Sequence, residues 1–260
     1  MQLETLKIAW IQTDLEWENP SLNRQRLTEK ITEISSAVNL IVLPELFTTG
    51  FTMNAQVVAE TMQGDTIAWI QQVAKAKNCA ITGSLVIEEK GNFYNRLVFV
   101  FPNGDVKTYD KRHLFTLAGE DKVYTPGRDK LIIDYKGFKI CPLICYDLRF
   151  PVFSRNTEKY DLLLFVANWP SPRIAAWDAL LKARAIENCC YVVSVNRLGI
   201  DANALDYPGH SQAIDFAGNL LHDSASKSEV ARVEIGKKEL LDFRTRFAFL
   251  DDQDCFTVED

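Results

Sequence analysis

Short apolar runs alternate along this chain with stretches where apolar side chains recur every three or four residues. An unbroken apolar run bounded by polar or turn residues suits a strand buried on both faces. By that rule residues 6–12, 39–43, 79–87, 138–145, 161–167, 191–196 and 230–235 are predicted strands. The longer recurrence predicts helices. Asn19-Pro20 opens the first, with Asn as cap and Pro in the first turn. Leu22, Leu27, Ile31 and Ile34 continue it as a stripe to about Ser36. Asp65 is expected to cap a second helix, which runs through Trp69, Ile70, Val73 and Ala74 to Asn78. Residues 175–188 and 237–243 supply two more. Pro102-Asn103-Gly104 turns a hairpin between 96–101 and 105–109, and Ala217-Gly218 turns another between 212–216 and 219–222; Asn-Gly is a strong turn signal. The loop over 113–127 is long for a compact domain, and such loops tend to carry function.

This order contains an internal repeat. Leu6-Lys-Ile and Phe138-Lys-Ile each open a strand, and Asn39-Leu-Ile-Val-Leu resembles Asp161-Leu-Leu-Leu-Phe. Lys77-Asn78-Cys79 and Glu187-Asn188-Cys189 each precede a strand. Both halves read strand–helix–strand–helix–strand–hairpin. Because each half closes in a hairpin instead of continuing as βαβ, the expected fold is α/β with two mixed sheets packed face to face. Helices on the outside make it a four-layer α-β-β-α sandwich with a pseudo-two-fold repeat, in preference to one doubly wound sheet.

At 260 residues, with 47% hydrophobic and 25% charged, the chain suits one domain over 1–260 with ample core. A net charge of -6 argues against a nucleic-acid binder, which needs a basic face. No membrane span or leader is expected, since no apolar run approaches the length of either. The six cysteines (Cys79, Cys141, Cys145, Cys189, Cys190, Cys255) form no CxxC pair and no zinc-binding spacing, so neither a metal nor a cofactor is expected. Reduced thiols imply a cytoplasmic setting.

The candidate chemistry lies where apolar strands stop. Phe138-Lys-Ile-Cys-Pro-Leu-Ile ends at Cys145-Tyr146-Asp147, which places a thiol at the lip of a sheet. A turn at that point aims free backbone N–H groups at whatever the thiol attacks. Glu45 follows an apolar strand and Pro44, so it sits at a buried rim where desolvation would suit it to base work. Lys111 ends a hairpin strand; its ammonium would stabilise an oxyanion or lower the pKa of a nearby thiol. Glu120, in the following loop, would orient Lys111 or the leaving ammonia. His113, two residues from Lys111, is expected to be structural. A thiol redox role would need a resolving cysteine, and Cys141 is disfavoured as one because it lies on the same strand as Cys145.

Three stretches together resemble the motifs of the nitrilase superfamily of carbon–nitrogen hydrolases: Glu45 in Leu-Pro-Glu-Leu-Phe, Lys111 in Tyr-Asp-Lys-Arg-His-Leu-Phe, and Cys145 in Leu-Ile-Cys-Tyr-Asp-Leu-Arg-Phe-Pro. The resemblance spans nearly the whole chain and implies the same sandwich fold. It also implies Glu45 as general base, Lys111 as support for the tetrahedral intermediate, Cys145 as nucleophile and Glu120 as an assisting carboxylate. Tyr109 to Glu120, Ala167-Asn-Trp-Pro170 and Ala183-Arg-Ala-Ile-Glu-Asn188 most resemble the omega-amidase branch, whose members hydrolyse 2-oxoglutaramate and 2-oxosuccinamate. True nitrilases place Trp-Glu after the nucleophile, where this chain has Tyr146-Asp147. The alternative within the family is an amidase for N-carbamoyl compounds or deaminated glutathione.

A small-molecule amide with a carboxylate at its far end calls for a cation. Arg149 is a candidate, unless it pairs with Asp147 or another buried acid, and Arg173 and Arg112 follow it. Phe115 and Trp169 are expected to wall a small closed pocket, with the N–H of Tyr146 on the oxyanion. The resemblance further implies a homodimer, for which Trp177 and the tail from about residue 244 are candidate contacts.

Overall fold

The structure, a computed structural model, describes residues 5–34 and 37–258. The first half holds β1 (Thr5–Gln12), α1 (Pro20–Thr32), β2 (Leu40–Val42), α2 (Ala55–Val58), α3 (Asp65–Lys77), β3 (Ala80–Glu89), β4 (Asn92–Val100) and β5 (Val106–Asp110). The second holds β6 (Ile133–Tyr135), β7 (Phe138–Ile144), α4 (Pro151–Ser154), β8 (Leu162–Ala167), α5 (Ile174–Glu187), β9 (Tyr191–Asn196), β10 (Leu198–Ile200), β11 (Asp206–Pro208), β12 (Gln212–Ile214) and β13 (Leu220–Asp223). β14 (Glu229–Gly236) and α6 (Lys237–Phe247) follow.

Two six-stranded mixed sheets result, in the orders β14-β1-β2-β3-β4-β5 and β13-β12-β9-β8-β7-β6. In β1 the side chains alternate between two cores. Leu6, Ile8 and Trp10 join Leu97 and Phe99 in the layer between the sheets, while Ala9 and Ile11 pack outward on Leu27 and Ile31 of α1 and Ile67 and Ile70 of α3. Burial on both faces is why these strands read as unbroken apolar runs. On the second sheet, α5 supplies Trp177, Leu181 and Ala185 as the outer cover. The expected sandwich is therefore observed.

The repeat is written in hydrogen bonds. The Asn39 N–H donates to the Lys7 carbonyl at 2.8 Å, and Asn39 Oδ1 accepts the Lys7 N–H at 2.9 Å. Lys139 and Asp161 do the same, with Asp161 Oδ2 accepting the Lys139 N–H at 2.7 Å. Each polar residue before an inner strand ties that strand to its parallel neighbour.

Several local expectations change. Gly64 caps α3 and Asp65 is its first residue, where its carboxylate complements the helix dipole. α1 stops at Thr32; Ser36, its expected end, lies outside the described residues. The three-residue strands β6, β10 and β11 are too short to show a period. β14 returns to pair antiparallel with β1, the place that β6 takes beside β7 in the other sheet. Trp177 is fully buried and donates to the His210 carbonyl at 2.8 Å, so it offers no surface to a second subunit. Among the described residues no helix is long and apolar enough to cross a membrane.

Candidate active site

The carboxyl ends of β2, β7 and β8 meet the end of β5 at one point, and each delivers a polar group just past its last strand residue. Glu45 lies beyond β2. The turn after it is pinned to β3 by Leu46 N–H to Ser84 Oγ (2.9 Å) and Phe47 N–H to the Ser84 carbonyl (3.0 Å). Lys111 follows β5, and its N–H bonds the Asn95 carbonyl at 3.0 Å. Glu120 opens a 3₁₀ turn, Glu120–Lys122, in the long loop; its Oε2 accepts the Phe115 N–H at 2.6 Å.

These three side chains form a buried ion chain. Lys111 Nζ lies 2.9 Å from Glu45 Oε1 and 3.0 Å from both oxygens of Glu120. Both acids are fully buried and Lys111 nearly so. Asn95 Nδ2 braces the chain from β4, at 2.8 Å from Glu45 Oε1 and 3.4 Å from Glu120 Oε1. Asn168 holds the other side. Its backbone N–H reaches Glu45 Oε2 at 2.7 Å, and its Nδ2 reaches the Glu45 carbonyl at 2.8 Å and Oε2 at 3.3 Å.

Cys145 is the first residue of the 3₁₀ turn Cys145–Arg149, with φ at +44°. This left-handed conformation costs a residue with a side chain about 1 kcal/mol or more, so the surroundings must impose it. Asp147 does so. Its buried carboxylate accepts the N–H of Ile144 (2.9 Å), the N–H of His113 (3.0 Å) and the hydroxyl of Tyr109 (2.7 Å), and it contacts His113 Nδ1 at 2.7 Å. The His113 ring stacks on Phe150 at 3.7 Å. His113 thus belongs to the clamp under the nucleophile's turn. Replacing Asp147 with Ala orphans several buried donors at about 1–3 kcal/mol each. The expected loss is about 3–5 kcal/mol, or roughly 10 °C in Tm for a chain of this size, read by calorimetry; His113→Gln should cost far less.

Burial pushes the Cys145 thiol well above its ordinary value of 9.0, and Glu45 adds to the rise. Lys111 does lower this pKa, as expected, but burial and Glu45 outweigh it, so the Cys145 thiol of the free protein stays well above its ordinary value. Burial alone would lower the pKa of Lys111, but Glu120 and Glu45 together hold it well above 10.5, so the ammonium is permanent. Burial raises the Glu120 carboxyl against the opposing pull of Lys111. The cluster contains one fixed cation, a thiol that needs a base, and a carboxylate beside both.

Cys145 and Lys111 open into a cavity of about 590 Å³, mid-range for small-molecule sites and roomier than the small closed pocket expected. Phe115, Tyr146, Arg149, Asn168, Trp169 and Arg173 line one side. Arg149 packs over the Trp169 ring at 4.9 Å and Arg173 over Phe115 at 5.0 Å. Arg149 does not pair with Asp147, whose carboxylate is committed to the clamp. Arg112 turns away from the cavity, over Phe153 and onto the Arg128 carbonyl. Trp17, Phe51, Leu205 before β11 and Tyr207 within it also line the cavity.

Sequence reasoning missed the two asparagines that brace Glu45. Asn95 was legible in principle, since it stands in phase with Leu97 and Phe99 and so faces the inter-sheet layer. Asn168 ends a strand within Ala167-Asn-Trp-Pro170, a stretch marked only by its resemblance to the omega-amidase branch. The hairpin β10–β11 was also missed, because its residues are polar and its strands short.

The geometry is that of an acyl-transfer site, and comparison with known proteins gives the class. The family model for carbon–nitrogen hydrolases matches residues 7–243, and the chain belongs to that family. It is 40% identical to the omega-amidase YafV of Escherichia coli (strain K12), over 97% of this chain and 98% of that protein. It is 32% identical to the 2-oxoglutaramate amidase of Bacillus subtilis (strain 168), over 94% and 96%. A crystal structure of a CN-hydrolase superfamily protein from Xanthomonas campestris, with an arsenic adduct in its active site, superposes with a TM-score of 0.96 at 41% identity, covering 98% of this chain and 99% of that one. The protein is a hydrolase of carbon–nitrogen bonds other than peptide bonds.

Proposed function

We propose that this protein is an omega-amidase, which hydrolyses the terminal primary amide of 2-oxoglutaramate or 2-oxosuccinamate to the 2-oxo acid and ammonia. The observation that carries the reading is the junction of the buried Glu45–Lys111–Glu120 chain with Cys145 at a cavity that also holds two guanidiniums. The full-length likeness to an omega-amidase and a 2-oxoglutaramate amidase supports it.

Cys145 Sγ attacks the amide carbonyl carbon as its proton passes to Glu45. A base is needed because burial and Glu45 hold the thiol well above its ordinary value. The oxyanion of the tetrahedral intermediate rests on the Lys111 ammonium and the N–H of Tyr146, which lies in a first turn without an intrahelical acceptor. The C–N bond breaks as Glu45 returns the proton to nitrogen, and ammonia leaves a thioester on Cys145. Glu45 then takes a proton from water while the hydroxide adds to the thioester carbonyl. The C–S bond breaks, the sulfur recovers its proton, and the acid departs. Glu120 holds Lys111 in place with two bonds. No metal or cofactor enters this sequence.

Arg149 and Arg173 are the carboxylate site. A guanidinium packed by its face against an aromatic ring keeps its in-plane N–H fork for a bidentate carboxylate. Replacing either with Met should raise KM for 2-oxoglutaramate by about 10–100-fold, in keeping with a charge-assisted pair, while kcat/KM for an uncharged short amide stays within about threefold. Steady-state kinetics on the two substrates checks this.

The two halves share one core between their sheets, which supports a single hydrolase domain. Six free thiols fit a cytoplasmic setting. A homodimer is supported by the exposed Phe247, Phe249 and Phe256 at and beyond the end of α6. The deciding experiment is ammonia release from 2-oxoglutaramate. Fast release supports the reading; no release, with thioester trapping from an N-carbamoyl compound instead, replaces the substrate and keeps the chemistry.

A further inference from the structure

Lys111 carries three N–H donors, and two of them have oxygen partners in the cluster. Glu45 Oε1 takes one at 2.9 Å. Both oxygens of Glu120 lie at 3.0 Å, but the two oxygens of one carboxylate subtend too narrow an angle at Nζ to take separate N–H directions, so they share the second. No further acceptor among the described residues takes the third. Beside the ammonium stands the Phe51 ring, its centroid 5.2 Å from Nζ. Phe51 and Lys111 both line the cavity that Cys145 opens into, yet Lys111 is only 1% exposed.

The chain holds this ring from both sides. The Gly50 N–H bonds the Leu46 carbonyl at 2.8 Å, and Gly50 takes φ at +73° to turn the chain into Phe51. A Cβ at Gly50 would also come within 3.1 Å of Arg197 and 3.3 Å of Trp17, so the position calls for glycine. On the other side the buried Thr52 gives its hydroxyl to Glu18, and its carbonyl accepts the Tyr124 hydroxyl at 2.7 Å. The Tyr124 N–H in turn bonds the Glu120 carbonyl at 2.8 Å. One tyrosine thus ties the segment of Phe51 to that of Glu120, and the two side chains flank the same ammonium.

An aromatic face attracts a cation, but it accepts an N–H more weakly than a water oxygen or an oxyanion does. Water bound at the third N–H would screen the charge, and would have to leave before an oxyanion could take its place. We infer that Phe51 is a positioning residue for the hydrolysis: its ring keeps water off the third N–H of Lys111 and leaves that donor vacant for the oxyanion. The inference rests on the amide-hydrolysis reading above. Because the oxyanion exists only after attack, Phe51 acts on kcat and leaves the binding of the unreacted amide alone.

The test sets Phe51→Ala beside Phe51→Leu in steady-state kinetics on 2-oxoglutaramate. Alanine opens the space to water; leucine keeps an apolar cover without the aromatic face. Phe51→Ala should lower kcat about tenfold or more with KM within about threefold, and Phe51→Leu should stay within about threefold of the parent in both. A parent-like kcat in Phe51→Ala overturns the inference. So does a loss carried by KM, which would make Phe51 a wall of the pocket and no more. An equal loss in both variants also overturns it, since the effect would then belong to the aromatic face and not to the exclusion of water. Binding in a Cys145→Ala background gives a readout independent of turnover and shows that the variant is folded. There the added Phe51→Ala change should move the dissociation constant of 2-oxoglutaramate by less than about threefold, and a weakening of about tenfold refutes the assignment. If the parent protein does not cleave 2-oxoglutaramate, the omega-amidase reading falls as a separate result. The same variants compared on the amide or N-carbamoyl compound that it does cleave then decide for Phe51, because each such substrate passes through an oxyanion.

Discussion

Cys145→Ala is expected to abolish amide hydrolysis, with a loss of about 10⁴-fold or more, because no neighbouring group can replace the sulfur in a covalent route. The cluster Glu45–Lys111–Glu120 survives this change intact, since its bonds do not pass through the thiol. The fold should therefore be unaffected, and the variant should bind substrate without turning it over. Mass spectrometry of the parent protein, quenched during turnover, should show an acyl adduct on Cys145 that the variant lacks. Full activity in Cys145→Ala would mean that another group attacks the amide, and the mechanism above would be wrong.

Glu45→Gln is expected to move hydrolysis and thiol chemistry in opposite directions. Loss of the base should lower kcat by about 10²–10⁴-fold. The same change removes one of the three influences that keep the thiol protonated, the others being burial and Glu120. Burial is the largest and remains; the charge of Glu45 disappears, and the downward pull of Lys111 meets less opposition. The sign follows directly. In the parent protein the pKa of Cys145 lies well above 9.0, so its alkylation rate should still be climbing at pH 9 without a plateau. In Glu45→Gln the midpoint moves down, and alkylation at pH 8 becomes faster even though catalysis is slower. Rates of iodoacetamide labelling at Cys145, followed by mass spectrometry across pH 7–10, decide the matter. An unchanged or higher midpoint would show that Glu45 does not act on the thiol.

The arrangement explains why a resting neutral thiol is tolerable. A nucleophile ionised in advance would add a third negative charge beside Glu45 and Glu120, with only Lys111 to balance it. Keeping the proton on sulfur until a carbonyl arrives avoids that charge. Lys111, bound to two carboxylates, is then available as a fixed cation for the oxyanion, where a water-excluded setting makes it most effective.

Much of the architecture could be read before any coordinates. The alternation of apolar runs and amphipathic stretches marked the central strands and the covering helices, because burial on both faces forbids polar interruptions. The duplication was visible because Asn39 and Asp161 each open a strand by the same tie to the strand beside it. Glu45, Lys111 and Cys145 stood out as polar residues at the ends of apolar strands, and Glu120 through the long loop that follows Lys111.

What the sequence determined by itself, then, was which residues end strands and what chemistry they bring. Only the tertiary structure decided how those ends meet. That Glu45 and Asn168 come from opposite halves, more than a hundred positions apart, is a product of sheet packing and leaves no trace in local spacing. The protonation of Cys145 was likewise undecidable in one dimension, because burial and Glu45 raise its pKa while Lys111 lowers it, and their balance depends on distances through the core. The partners of Arg149 and Arg173 were also open until the rings of Trp169 and Phe115 were placed beneath them. Side-chain identity is a local property; electrostatic balance and the pairing of donors with acceptors belong to the folded whole.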